Sequence, residues 1–158
     1  MICDDIAGLM AALPPSGAIA GLDYGEKTIG IAISDLRRRV ATPTTIIRRA
    51  KFTEDAARLM QIVAEREIRG LILGLPLNMD GSAGPRVQST QAFARNLARL
   101  TELPISFWDE LRQLSVLQDS QKPLWRISTT PKLAPKVVAH IARYMKVEET
   151  GGTLGFIT

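Results

Sequence analysis

The stretch "GLDYGEKTIGIAISD", Gly21 to Asp35, decides the fold. An apolar run, Ala18 to Leu22, leads directly into a carboxylate, Asp23. Gly25-Glu26-Lys27 then turns the chain, and an isoleucine-rich run from Thr28 to Ser34 ends at a second acid, Asp35. Short apolar runs bounded by turn residues read as buried strands, so the sequence predicts strands over 18–24 and 28–34 joined by a tight return. Arg37-Arg38-Arg39 marks another turn. Residues 40–47, rich in Thr and Ile around Pro43, read as a third strand. The proline places it at a sheet edge, because it has no N–H to give to the ladder. Three strands this close in sequence make an antiparallel meander.

Outward from the meander the period changes. Ala56, Leu59, Met60, Val63 and Ala64 fall on one face at helical spacing, predicting a helix over 53–67 with Thr53 as its N-cap. "GLILGLP", 70–76, is an unbroken apolar run behind that helix, as a central parallel strand would be. A polar loop, "LNMDGSAGP", precedes a second helix from Pro85 or Arg86 to about Leu100, with Val87, Phe93, Leu97 and Leu100 as its core stripe. "PISFW", 104–108, is a fifth strand that delivers Asp109 and Glu110. Helices are predicted over 111–119 and 136–146. The order β-β-β-α-β-α-β-α implies an α/β fold with a five-stranded mixed sheet: the antiparallel meander plus two parallel strands, flanked by helices.

The bulk properties narrow the class. The chain has 158 residues, 46% of them hydrophobic, enough for one domain with a core. No apolar run reaches the roughly 18 residues needed to cross a bilayer. The first ten residues, "MICDDIAGLM", carry acids and no Lys or Arg, unlike a secretory signal. Cys3 is the only cysteine and His140 the only histidine, so neither an internal disulfide nor a Cys/His zinc site is available. These features fit a cytoplasmic protein. Net charge is +4, and residues 1–110 carry 13 bases and 13 acids, whereas 111–158 carry seven and three. The excess cation therefore sits in the last third, where it suits a polyanion such as nucleic acid.

If the fifth strand runs parallel to the first, Asp23 and Asp109-Glu110 meet at one edge of the sheet, where α/β folds bind ligands. Carboxylates gathered there call for a divalent cation with oxygen ligands, the arrangement that phosphodiester hydrolysis uses. A single aspartate after a strand is ordinarily a turn residue, and Asp35 and Asp80 read that way; Asp23 leaves both roles open.

"GLDYGEKTIGIAISD", "GLPLNMDGSAGPRVQSTQAF" and "WDE" together resemble the YqgF/RuvX family, over roughly residues 18–110. The resemblance implies an RNase H-like fold and a bacterial cytoplasmic nuclease, either a Holliday junction resolvase or a pre-16S rRNA nuclease of ribosome biogenesis. It implies Mg²⁺ or Mn²⁺ as cofactor and structured RNA or branched DNA as substrate. On this match Asp23, Asp109 and Glu110 are catalytic, with Asp23 and Asp109 on the metal. Asn78, Asp80 and Arg86 match the loop beside the substrate, Lys27 and Thr28 the tip of the first hairpin, and Arg112 joins them as a nucleic-acid contact. The whole chain then forms one domain, with 1–17 as an N-terminal arm and 111–158 as an atypical basic segment. A homodimer would suit a two-fold symmetric junction.

After Glu110 the chain departs from the pattern. "DELRQLS" stands where the family reads close to "DERLST", and no Asp or Glu occurs between Asp119 and Glu148, where the resemblance calls for an acid on the last helix. Three readings follow: an incomplete site with weak or no hydrolysis, recruitment of another acid, or an altered sequence after Glu110. The first makes the chain a nucleic-acid-binding or ribosome-assembly protein on the same fold.

Overall fold

The computed structural model describes residues 1–4, 6–38, 41–75 and 82–109. The helices expected over 111–119 and 136–146 lie outside them. The elements in chain order are α1 (Ile6–Ala12), β1 (Ala18–Tyr24), β2 (Thr28–Ser34), β3 (Ala41–Arg48), α2 (Phe52–Glu65), β4 (Ile68–Leu75), α3 (Pro85–Ala98) and β5 (Ile105–Asp109). One five-stranded sheet holds them in the order β3-β2-β1-β4-β5. β1 pairs antiparallel with β2, and β2 with β3, while β4 runs parallel to both β1 and β5. The meander and the two parallel additions expected from the sequence are thus both present, and β3, with its proline, is an edge.

Strand alternation divides the core in two. Ala18, Ala20 and Leu22 of β1 face a large cluster with Ala56, Leu59 and Ile62 of α2 and Phe93, Ala94 and Leu97 of α3. Ile19, Ile72 and Trp108 face the other side, in a smaller cluster with Leu9 and Leu13. The first residues are docked rather than loose. Ile105 N–H donates to the Met1 carbonyl at 2.8 Å, and Cys3 N–H to the Ile105 carbonyl at 2.7 Å, which holds residues 1–3 along β5. Among the described residues no helix is long and apolar enough to cross a membrane.

Two helix boundaries differ from the sequence reading. α2 begins at Phe52 with Lys51 as N-cap, so Thr53 lies inside the first turn. No side chain caps α2; Asp55 Oδ1 instead accepts the Ala50 N–H at 2.9 Å and ties the incoming chain to the first turn. α3 ends at Ala98, which leaves Leu100 past the last turn and 58% exposed. Thr90 takes its place in the buried stripe, because its Oγ1 donates to the Arg86 carbonyl at 2.9 Å and the hydroxyl is satisfied within the helix.

Arg38, in the turn that Arg37-Arg38-Arg39 marks, is buried. It has φ of 56° and is 6% exposed. Its Nε donates to the Gly17 carbonyl at 2.8 Å and its Nη2 to the Pro14 carbonyl at 2.7 Å. Burial lowers its pKa from the usual arginine range. The guanidinium pins the 14–17 bend to the end of β2. We expect Arg38→Ala to cost about 2–3 kcal/mol, from two charge-assisted bonds lost and two carbonyls stranded. Urea denaturation of the variant measures it, and Arg38→Lys, which cannot reach both carbonyls with one fork, should recover less than half.

Candidate active site at the carboxyl edge of the sheet

Asp23 is the penultimate residue of β1, half-buried, with its Cα opposite Gly30 of β2. β1 is hydrogen-bonded on both sides, to β2 and to β4, so the backbone that carries this carboxylate is fixed. Leu22 pairs with Leu73 across β4, and Gly74 with Trp108 across β5. One residue further, Leu75 pairs with Asp109. The ends of β1, β4 and β5 therefore share one edge, and the backbone at position 109 sits two strands from the end of β1. Alternation puts Asp23 on the face of Ile19, Ile72 and Trp108, the face that α1 covers.

The first hairpin closes beside it. Gly25 N–H donates to the Thr28 carbonyl at 2.9 Å. Lys27 is exposed at the tip, and Thr28 is half-buried opposite Arg48. Arg86 is exposed in the first turn of α3, on the same side of the molecule's edge as the hairpin, because both line one cleft of about 170 Å³. Asp35 has a turn role: its carbonyl accepts from Ser34 Oγ at 2.9 Å and from Arg38 N–H at 3.0 Å. Asn78, Asp80, Glu110 and Arg112 lie outside the described residues.

Sequence reasoning missed the other side of that cleft. It runs from the 24–26 turn past Arg49 to Pro85, Arg86 and Ser89. The Arg49 guanidinium lies 4.2 Å from the centre of the Tyr24 ring. The opposite face of that ring stacks on Phe93, with centroids 4.3 Å apart and planes 18° apart, and Phe52 meets Phe93 edge-on at 5.8 Å. Arg48-Arg49 carries no motif. Only the β2–β3 register, with Thr28 opposite Arg48, brings Arg49 against the hairpin tip.

Among the described residues no three acids, histidines or cysteines gather as ready metal ligands. Asp23 offers carboxylate oxygens at this edge, the kind of donor a hard divalent cation takes, from a strand paired on both sides.

A model of the RuvX family, described as Holliday junction resolvase, matches residues 17–123. A relative from Ruegeria pomeroyi, named "Putative pre-16S rRNA nuclease", is 56% identical over 142 residues, 90% of each chain. One from Paracoccus denitrificans with the same name is 54% identical over 142 residues, 90% of this chain and 88% of the relative. These stretches leave 16 of the 158 residues outside, so the likeness runs on past Glu110. Among solved structures, T. thermophilus RuvC in complex with Holliday junction substrate is similar, with TM-score 0.51 and 10% identity over 85% of this chain and 96% of that one. At that identity the likeness speaks to the fold, which is RNase H-like. Fold, motifs and relatives agree: the chain belongs to the RuvX family.

Proposed function

We propose that this chain is a cytoplasmic, metal-dependent endonuclease that cuts the backbone of structured nucleic acid. Precursor 16S rRNA, trimmed at its 5′ end, is the preferred substrate and branched DNA the second. One observation carries the reading: Asp23, next to the last residue of a central strand, lies at the same sheet edge as the end of β5. The relatives are named as nucleases of pre-16S rRNA, which favours RNA over the junction.

In this reading Asp23 and Asp109 hold Mg²⁺ or Mn²⁺, with Glu110 beside them. The cation supplies Lewis-acid stabilisation of charge on the phosphoryl oxygens when it is bound. The doubly paired strand keeps Asp23 from reorganising as that charge develops, and rigid placement of this kind is what makes electrostatic stabilisation effective. Lys27 at the hairpin tip and Arg86 at the start of α3 contact phosphates on either side, with Thr28, Asn78, Asp80 and Arg112 along the same path. Such contacts orient the strand without reading its sequence.

A second reading is favoured by one feature of the sequence, the lack of any Asp or Glu between Asp119 and Glu148. In it the chain binds structured RNA without cutting. A cleavage assay separates the two. A pre-16S 5′ fragment and a four-way DNA junction are each incubated with Mg²⁺, with Mn²⁺ and with EDTA. Metal-dependent cutting of the RNA at a defined position is the expected result. Both substrates bound and left intact would establish the second reading.

A further inference from the structure

We propose that the cleft between the first hairpin and the start of α3 seats a backbone phosphate of the nucleic-acid substrate, gripped by Arg49. The inference rests on the nuclease reading above and extends it to Arg49, which no sequence motif marks.

Arg49 is held in place from three directions. Its backbone N–H donates to the Lys27 carbonyl at 2.9 Å. Its Nη1 donates to the carbonyls of Gly25 at 2.7 Å and Glu26 at 3.1 Å. The guanidinium also lies over the Tyr24 ring, whose far face is packed on Phe93. With Nη1 committed, the remaining edge of the guanidinium is formed by Nε and Nη2. Nε is buried and has no hydrogen-bond partner among the described residues. A donor stranded in this way is unfavourable. The other such atom among the described residues, Ser106 Oγ, is not on this cleft, whereas Arg49 lines it beside Arg86 and Ser89, where a partner can arrive later. The Nε–Nη2 edge presents two parallel N–H groups, the fork that matches two oxygens of a phosphate or carboxylate.

The surroundings favour phosphate. A second guanidinium, Arg86, and the Ser89 hydroxyl line the same cleft of about 170 Å³. Glu26 is also on its wall, and it meets Arg49 through its backbone carbonyl. An acidic protein segment would bring its own carboxylates against Glu26 as well. A nucleic-acid strand offers one phosphate per nucleotide and can set a single one here. The contact is to the backbone rather than to a base, because both faces of the Tyr24 ring are occupied and no base can stack on it. Tyr24 also follows Asp23 directly, so the cleft turns to one face of the sheet end while Asp23 turns to the other. A strand crossing the edge touches both, and Arg49 fixes its register at Asp23 without sequence preference.

The test uses the Asp23→Asn protein in EDTA, where cutting cannot occur, and a short RNA stem–loop as probe. The Arg49 Nε–H resonance, assigned by its disappearance in Arg49→Lys, is followed by NMR while fluorescence anisotropy reports overall binding. The resonance is expected to move in step with binding. Arg49→Gln should lower the slope of log K against log salt by about 0.7–0.9, the value of one phosphate contact. Arg49→Lys keeps the charge and loses the fork, so it should keep the slope and weaken binding about tenfold. RNA that binds with the resonance unmoved and the slope unchanged in Arg49→Gln overturns this site and leaves the nuclease reading standing. A resonance moved by a glutamate-rich peptide and not by RNA overturns it in favour of a protein partner. RNA that does not bind at all overturns this site and the RNA preference, and a four-way DNA junction that also fails to bind overturns the nuclease reading with them.

Discussion

Asp23→Asn is expected to lower the single-turnover rate of RNA cleavage by at least about a thousandfold, some 4 kcal/mol of barrier at 1.36 kcal/mol per decade. The substitution keeps the shape of the side chain and its capacity for hydrogen bonds, and it removes the charge. Because Asp23 is half-buried on a strand paired on both sides, the fold has little reason to respond. The melting temperature should therefore stay within a few degrees of wild type. RNA binding should survive, since it draws on cations such as Lys27 and Arg86 that the change does not touch. A rate that falls less than tenfold in a normally folded variant would remove Asp23 from the catalytic machinery and with it the central support for hydrolysis at this edge.

The largest stability effect is expected at Trp108. The side chain is 2% exposed and belongs to the smaller cluster with Leu9, Leu13, Ile19 and Ile72. It stands opposite Gly74, which has no side chain to compete for its space. Trp108→Ala should cost about 3–5 kcal/mol, the range for an aromatic deleted from a packed core. Against a total of roughly 5–15 kcal/mol for a domain, that is enough to unfold much of the population on warming. Trp108→Phe leaves a smaller cavity and should recover most of the loss. Urea midpoints of the two variants and wild type give the comparison. If Trp108→Ala costs less than about 1 kcal/mol, the α1-side cluster is not a structural core.

Much of this molecule can be read from sequence because buried parallel and antiparallel strands announce themselves as short apolar runs. Ala18–Tyr24 and Thr28–Ser34 coincide with β1 and β2 at both ends. The switch from period two to a helical period at residue 53 marked the passage from meander to crossover, and from it the parallel pairing of β4 followed. Local signals failed where a side chain acts at a distance along the chain. Thr53 had the right type for an N-cap, but α2 starts one residue earlier with no side-chain cap, and Asp55 ties Ala50 to the first turn. Arg38 read only as part of a turn, and the bend at Pro14–Gly17 is what gives its guanidinium a buried use. Asp23 could be singled out because an apolar run leads into it. Arg49 could not, because its environment is assembled from positions 24, 25, 26 and 93, and no window of sequence contains them all.

The strand order also sets a timetable for biosynthesis. β1, β2 and β3 are neighbours in the chain and in the sheet, so the first hairpins can close as soon as residue 48 has left the ribosome. β4 and β5 dock on the opposite side of β1, after two helical crossovers, and the last of them ends at residue 109. The loop-closure entropy of these long-range pairings is met late. Asp23 is thus made early and waits, on an open edge of β1, until nearly seven tenths of the chain has been synthesised. A nascent or truncated chain can hold a folded meander and have no second strand end beside Asp23. On the proposed reading, the catalytic edge would be complete only as the sheet is finished.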